Sequence, residues 1–180
     1  PRAAIAAGVH YLDLCDDADF CTGITALDGA ARAAGVCVIS GLSSVPALSS
    51  AAVTALAGEE RSQVIDTAIL PGNRSPRGRS VMRSILSQAG RPMAVWSSPA
   101  RYTLPGGTRR QGWMIEVPDL RLFPAHFGAG TVVFRAGLEL AVMRYGLAAF
   151  AMLRRVVPVP ISGPVLAVFK GLADLLAPFG

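Results

Sequence analysis

The chain has 180 residues, of which 52% are hydrophobic and 16% charged, so it can form a core and is not a disordered tail. Residues 1–66 carry three Lys/Arg and eight Asp/Glu, a balance of −5, and residues 67–180 carry fourteen and four, a balance of +10. This asymmetry indicates that the basic part faces an anion such as a phosphate or a charged lipid surface. No nucleic-acid partner is expected, because the arginines lack interleaved aromatic residues and no basic recognition helix is present.

The first 58 residues alternate between helices and strands. A helix at residues 2–7 ends at Gly8, the strand "VHYLDL" follows, and an amphipathic helix covers residues 17–35. The continuous apolar run "VCVISG" is typical of a strand buried on both faces, and the next helix begins near Pro46 and ends at Gly58. This order predicts an α/β fold with a doubly wound parallel sheet.

After Gly58 the pattern changes to that of an α+β domain. "QVIDTAIL" is predicted as a strand and "RSVMRSILSQAG" as a helix with Val81, Ile85 and Leu86 on one face. Residues 91–110 are predicted to be mostly loop, with one short strand near Val95. "GWMIEVPDLRLFP" and "TVVFRAGLEL" are predicted as two further strands, and the chain beyond Leu138 as apolar helices.

The loop "GNRSPRGRS" lies between a predicted strand and a predicted helix, as a P-loop does. It is not a P-loop, because five residues separate Gly72 from Gly78 and Arg79 stands in place of the lysine. The amides that open the helix, together with Arg74, Arg77 and Arg79, nevertheless predict an anion site. A solvated basic loop is the alternative.

An acidic cluster follows the first strand, formed by Asp13, Asp16, Asp17 and Asp19. Ligands of open parallel sheets bind at the carboxyl ends of the strands, so Asp13 is the candidate for contact with a ribose hydroxyl or a substrate amine. For the rest of the cluster we expect helix capping, with Asp16 or Asp17 as the capping residue.

The three cysteines, Cys15, Cys21 and Cys37, show no C-x-x-C spacing and predict reduced, packed thiols in a cytoplasmic protein. His10 and His126 lie in different elements without paired ligands, so no metal site is predicted.

The C-terminal run "LELAVMRYGLAAFAML" has sixteen residues and includes Glu139 and Arg144, which makes it too short and too charged for a membrane-spanning helix. We expect a core or interface helix that pairs with "SGPVLAVFKGLADLLAPF", and formation of a homodimer is compatible with it. A helix lying on the inner face of a membrane, with Arg154 and Arg155 near anionic lipid, is the alternative.

Four stretches in order resemble the saccharopine dehydrogenase-like oxidoreductases over residues 3–140: "AAIAAGVHYLDLCDDADF", "AARAAGVCVISGLSSVPALSSAAV", "PGNRSPRGRSVMRSILSQAGRPMAVW" and "VPDLRLFPAHF". The "AG-x-x-Y-x-D-L" strand of that family matches Ala7, Gly8, Tyr11, Asp13 and Leu14. Its "G-x-x-S-V-P" turn matches Gly41, Ser44, Val45 and Pro46. Leu42 and Ser43 stand where the family often has Phe-Asp, so no carboxylate role is expected at this turn.

The resemblance implies an oxidoreductase that transfers hydride with NAD or NADP. Residues 1–58 would be the C-terminal portion of a Rossmann-type dinucleotide-binding domain, and residues 59–180 an α+β substrate or dimerisation domain with apolar C-terminal helices. The glycine-rich turn that holds the pyrophosphate is absent, so its half of the domain is expected upstream and the chain is expected to be inactive alone.

The resemblance also implies two sets of site residues, and it names no catalytic residue. The cofactor side is predicted at Tyr11, Asp13, Gly41, Ser43, Ser44 and Pro46, and an acidic or acyl substrate at Asn73, Arg74, Arg77 and Arg79. A different class of function is the alternative, namely a non-catalytic binding or membrane-surface module. Its support is the positive charge of the second part and the apolar C-terminus.

Overall fold

The computed structural model describes residues 1–58, 60–76, 78–90 and 98–180, and it shows a mixed α/β protein. The helices are α1 (Arg2–Ala6), α2 (Ala18–Gly23), α3 (Asp28–Ala33), α4 (Ser49–Ala57), α5 (Arg79–Gln88), α6 (Asp119–Phe127), α7 (Ala141–Val156) and α8 (Gly163–Leu176). The strands are β1 (Tyr11–Leu12), β2 (Val38–Ile39), β3 (Val64–Ile69), β4 (Ala100–Thr103), β5 (Arg109–Met114) and β6 (Thr131–Ala136).

The chain forms two compact units. The first contains Pro1–Thr67 and Val117–Phe134, and the second contains Ala68–Glu116 and Arg135–Gly180. The first has four Lys/Arg and nine Asp/Glu, a balance of −5, and the second has thirteen and three, a balance of +10. The charge asymmetry of the sequence is therefore a property of the two units.

The predicted domain boundary after residue 58 falls inside the first unit. β3 begins in this unit, and residues 117–134, which contain α6 and the first part of β6, return to it. The reason is a shared core: Val53 of α4, Ile65 of β3, Phe123 of α6 and Ala129 are buried against one another.

The strands form two sheets within the described residues. β1 pairs with β2 in parallel, with Tyr11 opposite Val38, and a four-stranded sheet has the order β3-β6-β5-β4. β5 is antiparallel to both β4 and β6. Thr131 N donates to Gln63 O, and six residues later in both segments Gly137 N donates to Ile69 O. Residue numbers therefore increase in the same direction along β3 and β6, so the two strands are parallel. The mixed α/β class is confirmed, and the doubly wound Rossmann-type sheet stays a prediction.

The run "VCVISG" does not form a strand buried on both faces. Only Val38 and Ile39 are paired, and Ile39 is exposed, because the sheet has just two strands in the described part of the chain. The helix predicted over residues 17–35 is likewise interrupted, since a 3-10 turn at Ile24–Leu27 separates α2 from α3.

The second half of "GWMIEVPDLRLFP" is α6 and not a strand. Pro118 precedes the helix, where the missing amide hydrogen costs little, and Asp119 and Phe123 are buried one turn apart. Part of the segment predicted as loop is β4, which pairs with β5. The predicted strand near Val95 lies outside the described residues.

The second unit has its core between three helices. The buried residues of α5 and of the position just after it are Met82, Leu86 and Ala89. They pack with Leu147 and Ala151 of α7 and with Leu166 and Ala173 of α8. The predicted α5 face was wrong at Val81, which is exposed, because a strip at positions 82, 86 and 89 points inward. None of the helices in the described ranges is both long enough and apolar enough to cross a membrane.

We predict that Leu86→Ala lowers the free energy of unfolding by about 2–5 kcal/mol, because Leu86 is fully buried and its truncation leaves a cavity. Val81→Ala in the same helix should change it by less than about 0.5 kcal/mol. Urea denaturation followed by circular dichroism measures both, and equal losses would contradict the orientation of α5.

Candidate functional site

Two turns meet where β1 and β2 end. Asp13 N donates to Ile39 O at 3.1 Å, and Leu42 N donates to Asp13 O at 2.9 Å. The backbone after β1 is thereby tied to the backbone after β2, although each strand has only two paired residues. The carboxyl edge of a parallel sheet is the edge where α/β proteins bind their ligands.

The Asp13 carboxylate organises this edge. Its Oδ1 accepts hydrogen bonds from Cys15 N at 2.8 Å, Ser40 Oγ at 2.7 Å and Gly41 N at 3.1 Å. Burial by itself would raise the pKa of Asp13, but these donors and the Tyr11 hydroxyl outweigh it, so the pKa lies below its ordinary value. The interaction with this carboxylate, followed by burial, raises the pKa of Tyr11. Asp13 is therefore ionised at neutral pH beside a protonated phenol.

Gly41 opens the second turn in a conformation that suits glycine. Its φ is +81°, and a Cβ at this position would lie 2.5 Å from Cδ of Pro46. Ser43 then closes the turn, since its Oγ donates to Val45 O at 2.8 Å and accepts from Val45 N. Ser44 is exposed on the same turn.

An open cleft of about 540 Å³ lies beside this turn within the first unit. One wall is the end of β2 and the turn, with Ser40, Gly41 and Pro46, and the other is α6, with Phe123 and His126. This volume is within the range of small-molecule sites, which combine apolar walls with a few polar groups. No role is predicted for Ser40 or His126 from the sequence, because neither stands at one of the matched motif positions.

Asp119 is a buried acid that the sequence did not single out, because its segment has the composition of a strand. The side chain is fully buried at the start of α6. Burial raises its pKa to about 6, and the nearby Ser49 hydroxyl limits the rise. The Ser49 hydroxyl donates its hydrogen to Pro46 O at 3.0 Å, so Asp119 lies close behind the turn that borders the cleft.

The structure brings together the residues predicted on the cofactor side. Tyr11, Asp13, Gly41, Ser43 and Pro46 lie at the ends of β1 and β2, with Ser44 on the same turn. A contact between these residues and a cofactor stays a prediction.

The predicted substrate residues lie in the second unit. Asn73 is buried, and its side-chain amide donates to Leu176 O at 2.6 Å while its backbone N–H donates to Glu139. This gives Asn73 a structural role at the end of α8. Arg74 and Arg79 are exposed, with Arg79 as the first residue of α5, and Arg77 lies outside the described residues.

The structure tests the predicted helix cap and the state of the cysteines in the first unit. The predicted cap is confirmed, because Asp17 Oδ1 accepts from Phe20 N at 2.9 Å. The three cysteines are free; Cys21 is buried, as expected, whereas Cys37 is exposed. No group of three His, Cys, Asp or Glu residues in the described part of the chain could hold a metal ion.

Comparisons with protein-family models, with curated proteins and with solved structures find no match to this chain. The resemblance to the saccharopine dehydrogenase-like oxidoreductases therefore stays a prediction that rests on the motifs.

We predict that Gly41→Ala lowers the free energy of unfolding by about 2–4 kcal/mol, because the methyl group adds the cost of a positive φ to a clash with Pro46. Gly29→Ala is the matched control. Gly29 lies in α3 with open space around it, so this change should be neutral or stabilising by up to about 1 kcal/mol. Equal effects in urea denaturation would contradict the geometry of the turn.

Asp119 predicts a pH dependence of stability. Between its ordinary pKa of 3.8 and about 6, the folded state keeps the proton and the unfolded state loses it, so the free energy of unfolding falls as pH rises through this window. Asp119→Asn removes the cost of ionising a buried carboxyl group. The variant should therefore be more stable than the wild type by about 2–3 kcal/mol at pH 7.5. At a pH near 4 the difference should be close to zero. Urea denaturation at both pH values tests this, and a pH-independent difference would contradict it.

Proposed function

We propose that this chain is part of a nicotinamide-dependent oxidoreductase related to the saccharopine dehydrogenase-like group. The observation that carries the proposal is the pair of turns at the carboxyl ends of β1 and β2, held by Asp13 and bordering an open cleft. In open parallel sheets this is where dinucleotides and their substrates meet. The nicotinamide of NAD or NADP would accept the hydride when oxidised or donate it when reduced, and the choice between the two cofactors lies with residues outside the motifs found here.

The short sheet of the first unit supports this proposal. Parallel strands are normally buried on both faces, and a two-stranded pair is only marginally stable by itself. Leu12 of β1 is 60% exposed, and Leu14, two residues further along the chain, is 72% exposed, so apolar side chains in and just after β1 are left in contact with solvent. We infer that further strands complete this sheet, and that they carry the glycine-rich turn for the pyrophosphate.

The residues of the cleft fit the nicotinamide end of such a cofactor. Phe123 and Pro46 provide apolar walls that would keep water away from a planar ring, and Ser40 offers a hydroxyl group at the same edge. Asp13 would act on the cofactor indirectly, since its hydrogen bonds fix Ser40 and the Gly41 amide. Asp13 is therefore a positioning residue in this proposal.

The second unit would face the substrate. Its balance of +10 suits an acidic substrate, or an acyl substrate carried on a phosphate group. Arg74 and Arg79, both exposed, are the described members of the predicted anion loop. Asn73 would support the loop from inside, through its bonds to Leu176 and Glu139.

Titration with NADH and NADPH, followed by nicotinamide fluorescence, tests the proposal. We expect no binding to this chain alone, and binding to the protein extended upstream to include a glycine-rich strand, turn and helix. Absence of binding to both proteins would reject the oxidoreductase function. Binding to the short chain alone would place the whole cofactor site within these 180 residues.

Asp13→Asn in the extended protein should weaken cofactor binding about tenfold, because a neutral amide holds the Ser40 and Gly41 donors less strongly than a carboxylate does. Asp28→Asn is the matched control, since Asp28 is exposed and forms an ion pair with Arg32 of the same helix. A similar dissociation constant for wild type and Asp13→Asn would contradict the positioning role.

A further inference from the structure

Two helices of the second unit present apolar side chains to solvent. On α7 the exposed residues Val142, Tyr145, Met152 and Val156, with Ala149 between them, follow each other at alternating spacings of three and four. This spacing aligns side chains along one strip of a helix. On α8 and the turn after it, Val168, Leu172, Leu175 and Phe179 are exposed in the same way. We name these two strips together the α7–α8 face.

The two strips meet at an apolar cavity. The cavity has a volume of about 240 Å³ and lies between α5, α7 and α8. Val142 of one strip and Leu172 of the other both line it, and both are largely exposed, so the cavity opens on the α7–α8 face. Phe150 and Phe169 pack with ring centroids 4.8 Å apart and hold α7 against α8. The apolar surface is therefore continuous, and it is larger than the scattered exposed residues of ordinary protein surfaces.

The unit that carries this face is positive. The second unit has a balance of +10, and α7 contains three arginines and no acidic residue. Arg144 donates to the carbonyl groups of Leu138 and Glu139, and Arg154 donates to those of Leu86, Ala89 and Val159. Carbonyl oxygens have no formal charge, so these bonds do not neutralise the two arginines. Arg154 is aligned with the buried Leu147 and Ala151, away from the exposed strip, so the attraction to an anion comes from the net charge of the unit.

We propose that the α7–α8 face binds the surface of an anionic lipid bilayer. Its apolar side chains would enter the boundary between headgroups and acyl chains, and the end of one acyl chain would fill the cavity. The helices lie on the surface in this arrangement, in line with the absence of a spanning helix among the described residues. The inference is independent of the proposed oxidoreductase function, because it uses only the second unit.

A second copy of the chain is a poorer occupant of this face. Pairing this face with the same face of another copy would bring together two units that each carry a balance of +10. Like charges brought close together destabilise an interface. An anionic lipid surface instead attracts this positive charge, so charge complementarity favours the bilayer.

Co-sedimentation with extruded vesicles tests the proposal on the full chain. We expect binding to vesicles with about 30 mol% phosphatidylserine in phosphatidylcholine, at least about tenfold weaker binding to phosphatidylcholine alone, and loss of binding as NaCl rises from about 0.1 M to about 0.5 M. Absence of binding to the anionic vesicles at low salt would overturn the proposal. Equal binding to both vesicle types would also overturn it.

Variants on the face make the test specific. Met152→Gln with Val156→Gln should weaken binding to anionic vesicles about tenfold, because two apolar side chains no longer leave water. Leu56→Gln is the matched control, since Leu56 of α4 is 90% exposed but lies in the first unit. All these positions are exposed, so far-ultraviolet circular dichroism should be unchanged.

Sedimentation velocity in the absence of lipid tests whether a second copy of the chain, and not a bilayer, covers the α7–α8 face. The proposal expects the same sedimentation coefficient for the wild type and the double variant. A wild-type dimer that the double variant converts to a monomer, with vesicle binding unaffected, would overturn the proposal and identify the face as an interface between copies.

Discussion

The carboxylate of Asp13 is the group on which the geometry of the first unit depends. Its donors come from two segments far apart in sequence, namely Cys15 N after β1, and Ser40 Oγ and Gly41 N after β2. Hydrogen bonds to an ionised acceptor are roughly twice as strong as neutral ones. They therefore join two strands that share only two residue pairs, and they fix the point at which the chain turns toward Pro46 and the cleft.

Glu139 has the corresponding role in the second unit. It accepts from Asn73 N at 2.6 Å and forms an ion pair with Arg110 of β5, and Asn73 in turn holds the end of α8. This network is largely buried, and each of its members is held by another. It therefore fixes the positions of three segments within the unit: the start of the basic loop, β5 and α8. The basic loop thus begins at a fixed point, while Arg74 and Arg79 are exposed to solvent.

Elements that depend on local sequence were predicted well. Gly8, Gly35 and Gly58 end helices at positive φ, Asp17 caps α2, and the strands β3 and β6 lie where the apolar runs place them. The errors occur where long-range contacts decide the structure. The segment after Pro118 has the apolar alternation of a strand, yet it is helical because Phe123 packs against Val53 and Ile65 of distant elements. β4 has only four residues and lies between Pro99 and Pro105, so its strand conformation depends on pairing with β5.

The residues of the candidate site were also predicted only in part. Asp13 and the Gly41–Pro46 turn were found as separate motifs, but only the fold brings them together. Ser40, Asp119 and His126 could not be found, because their positions depend on tertiary contacts and not on spacing. Asn73 was predicted as a substrate residue because it lies in a basic loop. Its hydrogen bonds to residues more than sixty positions away, which no local pattern predicts, give it a structural role.

The opposite charges of the two units have a consequence for any anionic surface or ligand. At the ionic strength of a cell, unpaired charges act over about 8 Å, so a surface feels mainly the unit that approaches it. The second unit, with a balance of +10, is attracted, and the first, with −5, is repelled. Attraction of the second unit favours the proposed contact of the α7–α8 face with a bilayer, and repulsion of the first unit disfavours such a contact of its own. A pyrophosphate at the carboxyl edge of β1 and β2 would meet the same repulsion. The acidic balance of the first unit is thus a physical reason, independent of any motif, why a dinucleotide would need helix amides or cations from outside this unit.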